Sequence, residues 1–189
     1  MSLARPTAPR RGEEEPGTND ATDDATGTDK DTSVASRGAR VVPVPPPLYY
    51  AAAFAVGLLL HSRGGTPLAL GGRPATVVLG AGLLAAGVGL ATAGVVTVVR
   101  HHTTIVPHAP VSTLVRTGPY RWTRNPMYTG LAIGYLGAAG VADTWWPILT
   151  MPAALLAIRW LVIAPEERYL TSLYGPDYAD YKAHVRRWL

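Results

Sequence analysis

Two polar stretches of this 189-residue chain hold nearly all of its side chains capable of chemistry. The first is 114–130, LVRTGPYRWTRNPMYTG, and the second is 165–185, PEERYLTSLYGPDYADYKAHV. An ionised carboxylate only accepts hydrogen bonds, so Glu166 or Glu167 suits an ammonium or a pair of hydroxyls. Tyr120, Trp122 and Tyr128 offer flat apolar faces to a planar ring. Gly118–Pro119 makes a turn whose backbone groups can face a ligand. Each feature alone also has a plainer reading. Two acids at a helix start favour the helix dipole, Tyr174, Tyr178 and Tyr181 form a packing or interfacial stripe, and Arg121 and Arg124 can serve only to orient the chain. With no cysteine, thiolate nucleophiles and cysteine-bearing zinc sites are excluded. His101, His102 and His108 have no carboxylate near them in sequence, so interfacial histidines are expected rather than a metal site.

The elements that must position these stretches are apolar. Hydrophobic residues make up 48% of the chain, but they are gathered into blocks rather than interleaved with polar ones. A soluble helix or strand needs a wet face; blocks that are apolar all round call for lipid as solvent. Residues 1–40 contain almost no large apolar side chains and read as a disordered acidic tail. Val41–Pro47 is a proline-rich lead-in, so 1–46 precedes a single membrane domain at 47–189. Four spans are expected: Leu48–Leu60, which is short for a bilayer and must borrow flanking residues; Ala75–Val99, uncharged throughout; Pro126–Ala142; and Trp145–Ala164. Gly80, Gly87 and Gly94, with Gly82 and Gly89 beside them, and the Gly130/Gly134 pair predict close helix packing in lipid. Asp143 and Thr144 make the turn of an antiparallel hairpin.

The net charge of +4 is basic, but the basic residues flank apolar spans, which fits membrane orientation better than nucleic acid. Arginines concentrate in 100–125 and in the tail after Pro165, so both of these segments and both termini are expected in the cytoplasm. The fold class is therefore all-α, a polytopic membrane protein of about four transmembrane helices with a cytosolic C-terminal helical segment. The bilayer is its expected partner, no nucleic acid is expected, and its oligomeric state is not readable.

The pattern LV-x-TGPYR-x-x-RNPMY-x-G, then the helical hairpin, then Glu166–Glu167 and YG-x-x-Y-x-x-Y, resembles the isoprenylcysteine carboxyl methyltransferase family. Phospholipid methyltransferases are its relatives. The likeness runs from about Arg100 to Val185, and its two motifs must occur in order around a hairpin of fitting length. It implies S-adenosylmethionine bound at the cytosolic face under the C-terminal segment, with a lipophilic acceptor entering from the bilayer. It also implies cofactor contacts at Leu114, Val115, Tyr120, Asn125, Pro126, Met127, Tyr128 and Glu166. The family pattern has Arg-His-Pro where this chain has Arg124-Asn125-Pro126, and Asn does not titrate near neutrality. The family's acceptor-contacting Arg falls on Val162, which makes Arg159, about one turn earlier, the candidate acceptor contact. An Arg at the end of a span can also simply snorkel. No catalytic dyad is evident, which suits a displacement governed by alignment. The implied reaction is carboxyl O-methylation of an isoprenylcysteine-like or other amphipathic acid; phospholipid N-methylation and a non-catalytic helical scaffold are the rivals.

Overall fold

A computed structural model describes residues 44–65, 67–68, 70–101 and 114–189. The acidic tail, the start of the proline-rich lead-in, and His102 and His108 lie outside the described residues. Within them there is no strand, only a single bridge between Thr123 and Arg186.

Helix α1, Pro46–Gly64, reaches 19 residues by using both flanks of its apolar block. Proline fits its first turn, where a backbone N–H has no partner in any case. Helix α2 is Arg73–Arg100, α3 is Pro126–Val141 and α4 is Trp146–Ala157. Gly80 of α2 meets Gly140 and Val141, Gly87 meets Gly130 and Gly134, and Gly94 meets Pro126 and Met127. This order makes α2 and α3 antiparallel and nearly backbone to backbone. A Cβ on Gly80 would sit 2.5 Å from the Val141 nitrogen, and one on Gly130 2.6 Å from that of Ala91. The seam extends the expected Gly130/Gly134 pair to Gly137 and Gly140, whereas Gly82 and Gly89 face open space.

Helix α1 packs along α4, with Gly57 against Pro147 and the Thr150 hydroxyl donating to the Ala53 carbonyl at 2.8 Å. The four helices thus alternate in direction. One end of the bundle is tied by the hairpin turn, where Asp143 takes a positive φ of 50° and accepts the Leu68 N–H at 3.2 Å. Fully buried Thr144 lies 2.9 Å from His61 Nδ1 at the same end. At the opposite end the start of α3 and the end of α4 meet the two polar stretches.

Beyond α4 the chain does not leave the helix. Ile158–Ile163 forms a wide π turn, and α5, Ala164–His184, follows without interruption. Pro165 explains the widening: it offers no N–H, and its ring clashes with the carbonyl one turn earlier. The turn buries Ile158, Val162 and Ile163. Helix α5 breaks at Gly175, whose φ of 47° and ψ of −118° favour a residue without Cβ. Pro176 starts the second half, which folds back over residues 116–120.

Two helices among the described residues are long and apolar enough to cross a membrane: Arg73–Arg100, and the one that begins at Trp146. Their outward faces carry Val78, Leu79, Val88, Leu149 and Leu156, all exposed. Apolar belts of that kind need a non-aqueous surround.

Candidate active site

Residues 114–125 connect to α3 through a 3-10 turn at Gly118–Arg121. Gly118 at φ +58° permits this turn, and a Cβ added there would sit 2.9 Å from the Thr97 hydroxyl of α2. Val115 is buried with Val98 and Tyr120, a small core that seats the loop on α2; Leu114, one residue earlier, is half-buried. From above, the Tyr181 hydroxyl donates to the Tyr120 carbonyl at 2.7 Å, and Arg116 donates to the Asp177 carbonyl. The two polar stretches therefore form one layer, as the hairpin between them requires.

The chain's last residues act as a strap across that layer. The Arg186 carbonyl accepts the Arg124 N–H at 2.9 Å. The Arg187 carbonyl accepts from the Thr123 hydroxyl and from Asn125 Nδ2, each at 3.0 Å. Trp188 packs on the core cluster containing Tyr50, Tyr128 and Ile163.

The two acids of the second stretch divide their roles. Glu167 receives two bonds from Arg187, Nε to Oε1 at 2.9 Å and Nη2 to Oε2 at 2.6 Å, and an ion pair from Arg124 at 3.1 Å. This arrangement is structural: a carboxylate held between two guanidiniums joins α5, the strap and the α3 entry. Glu166 meets no cation among the described residues. The Tyr128 hydroxyl donates to its Oε2 at 3.4 Å, and no other donor among the described residues reaches it. Burial, with Glu167 beside it, pushes the Glu166 carboxyl up to about 7 despite the Tyr128 bond. A buried acid without a counter-charge is costly to ionise, and an incoming cation removes that cost.

Tyr128 is buried at the start of α3, and its carbonyl accepts the Tyr50 hydroxyl at 3.1 Å. The Tyr120 hydroxyl is raised by burial and by the nearby Glu166 charge, so it stays protonated as a donor. Pro126 is fully buried, and Met127 rests on Gly94 and the core cluster. Tyr120, Tyr128 and Glu166 come together, with Pro126 and Met127 at the adjoining helix start. Asn125 is adjacent, but its side-chain amide is occupied by the strap. Arg159 is exposed, its guanidinium 5.2 Å from the centroid of the Trp160 ring. Among the described residues it forms no hydrogen bond or ion pair with Glu166, Tyr120 or Tyr128.

Tyr50, Thr123, Arg187 and Trp188 belong to this assembly without having been singled out in the sequence. The Tyr50–Tyr128 and Thr123–Arg187 bonds join residues more than 60 positions apart, with no periodicity to announce them. Among the described residues no group of three His, Asp or Glu is placed to hold a metal ion.

The family model for phospholipid methyltransferases matches residues 75–177, from α2 through the break in α5. The chain belongs to this family. It is the family of integral membrane methyltransferases to which the isoprenylcysteine carboxyl methyltransferase-like proteins belong, and the match takes in both motif stretches up to Asp177. Methyltransferase activity and a place in the membrane are what that family's description stands for. The chain is also similar to the cobalt-zinc-cadmium resistance protein CzcN of Cupriavidus metallidurans, 31% identical over 70 residues. That alignment covers 37% of this chain and 32% of the relative, so the chain spans about a third of the length of the curated relative it matches. No solved structure matches the chain.

Proposed function

We propose that the protein transfers the methyl group of S-adenosylmethionine to a lipophilic acceptor at a membrane surface. The observation that carries this reading is Glu166, a half-buried carboxylate that meets no cation among the described residues, within the stretch that matches a methyltransferase family. The donor brings a methyl group on a sulfonium, and as an acceptor atom takes that methyl the carbon–sulfur bond breaks to leave a neutral thioether.

The protein's share is binding and alignment. Glu166 takes the donor's ammonium or its ribose hydroxyls, while Tyr120 and Tyr128 hold it by their hydroxyls and faces. Leu114, Val115, Pro126 and Met127 supply apolar walls that exclude water, and Asn125 secures the strap that roofs the pocket. In a dry, fixed site, alignment carries most of the rate. Arg159, exposed toward lipid, is our candidate to meet an acceptor's anionic group on its way in. All four helices cross the bilayer in this reading, with α1 and α3 completing the set. Both termini and the Glu166 layer lie in the cytoplasm, and 47–189 forms the membrane methyltransferase domain.

A carboxylate acceptor fits best, because it is already a nucleophile and Asn125 cannot serve as a base. The description of the matched family favours a second reading, N-methylation of a phospholipid amine. Incubation with methyl-labelled S-adenosylmethionine and a total lipid extract tests both. A base-labile labelled ester is the expected product, a base-stable N-methyl lipid would select the second reading, and no labelled lipid would remove the enzymatic one.

A further inference from the structure

Helix α5 presents a second functional surface, turned away from Glu166. Ala164 and Arg168 lie two residues either side of Glu166, about 200° round the helix from it. On that face a groove of about 620 Å³ runs from Trp160 and Ala164, past Glu167, to Arg168 and Lys182.

Its charge is positive and uncompensated. Glu167 is the lone acid in the wall and is already held by Arg124 and Arg187. Arg168 is exposed and has no acidic partner among the described residues. Lys182 is exposed too, its ammonium 5.4 Å from the centroid of the Tyr178 ring. Asp180, its nearest acid in sequence, pairs with Arg116 and His184 instead. The hydroxyls in the wall offer no donors: Thr171 gives its proton to the Glu167 carbonyl at 2.6 Å and Ser172 to that of Tyr169 at 2.8 Å. Recognition there rests on two cations, which suits a diffuse anion more than a finely patterned metabolite.

The other end of the groove is apolar. Trp160 is 61% exposed and stands where the apolar stretch begun at Trp146 gives way to charged residues. Tryptophan prefers that boundary between hydrocarbon and headgroups. A groove leading from the hydrocarbon edge to two unpaired cations matches an amphiphile with an anionic head.

We propose that this groove seats the headgroup of an acidic phospholipid, its phosphate shared by Arg168 and Lys182 and its first acyl carbons against Trp160 and Ala164. The lipid is not the methyl acceptor: phosphatidylglycerol has neither amine nor carboxylate to modify. Its effect is to brace the helix that carries Glu166 against the bilayer.

The test is native mass spectrometry of the full-length protein in detergent, equilibrated with equal amounts of phosphatidylglycerol and phosphatidylcholine of matched chains. One phosphatidylglycerol should be retained in preference by roughly thirtyfold, the ratio to which about 1 kcal/mol from each of two cations sums. The Arg168→Gln/Lys182→Gln variant, shown folded by circular dichroism, should lose that preference. Equal retention of both lipids, or an unchanged preference in the variant, overturns the proposal. Displacement of the lipid by inorganic phosphate in tenfold excess would also overturn it, since the site would then be one for a free anion.

Discussion

Arg124 and Arg187 share the carboxylate of Glu167, whereas among the described residues its neighbour Glu166 meets only the Tyr128 hydroxyl. The sequence shows the pair as two identical acids, and its motif resemblance singles out Glu166; what distinguishes them physically is a strap whose residues lie about 20 positions further on. The contrast has a pH consequence. The folded Glu166 carboxyl titrates at about 7, above its ordinary value of 4.5. Between those values the folded protein holds a proton that the unfolded chain has lost, so this group's contribution to stability is complete below about 4.5 and is lost as pH rises through about 7. The donor-free protein should melt at progressively lower temperature from about pH 5 to pH 8, and Glu166→Gln should flatten that slope. Thermal scans of both proteins across the range check this; equal slopes would mean that Glu166 is not the group responsible.

At the scale of elements, the apolar blocks located the helices, and the glycine repeat foretold close packing. The repeat alone did not say which glycines touch. Gly87 lies against the Gly130 and Gly134 backbone, while Gly89, two residues away, faces open space. Gly87→Ala should therefore destabilise by about 1–3 kcal/mol, as other overpacked sites do, and Gly89→Ala should be neutral or slightly stabilising. Unfolding in mild detergent measures both; similar losses in the two variants would refute the seam. The π turn before Pro165 and the strap were less legible. A proline near a span's end signals a boundary as readily as a widened turn, and the strap is held by backbone carbonyls that carry no side-chain signature.

For the whole molecule, alternation of four helices brings 114–125 and 164–189 to one end of the bundle, and the hairpin between them made that much readable in advance. The chain has no cysteine, so single-cysteine variants report sidedness cleanly. Arg121→Cys and Ala183→Cys, both at exposed positions, should react with an impermeant maleimide from the cytoplasmic side only; labelling from opposite sides would separate the two halves of the site. Deleting residues 1–40 should leave methyl transfer intact, and loss of activity in a stably inserted truncation would give the tail a role. The central claim is that Glu166 meets no cation among the described residues because the methyl donor supplies one. Calorimetric titration of S-adenosylmethionine into the full-length protein measures it directly. One donor should bind per chain, and Glu166→Gln should weaken binding roughly 10–100-fold, since hydrogen bonds to a charged group contribute about 1.5–3 kcal/mol. No binding to the folded wild-type protein, or equal affinity in the variant, would contradict the account.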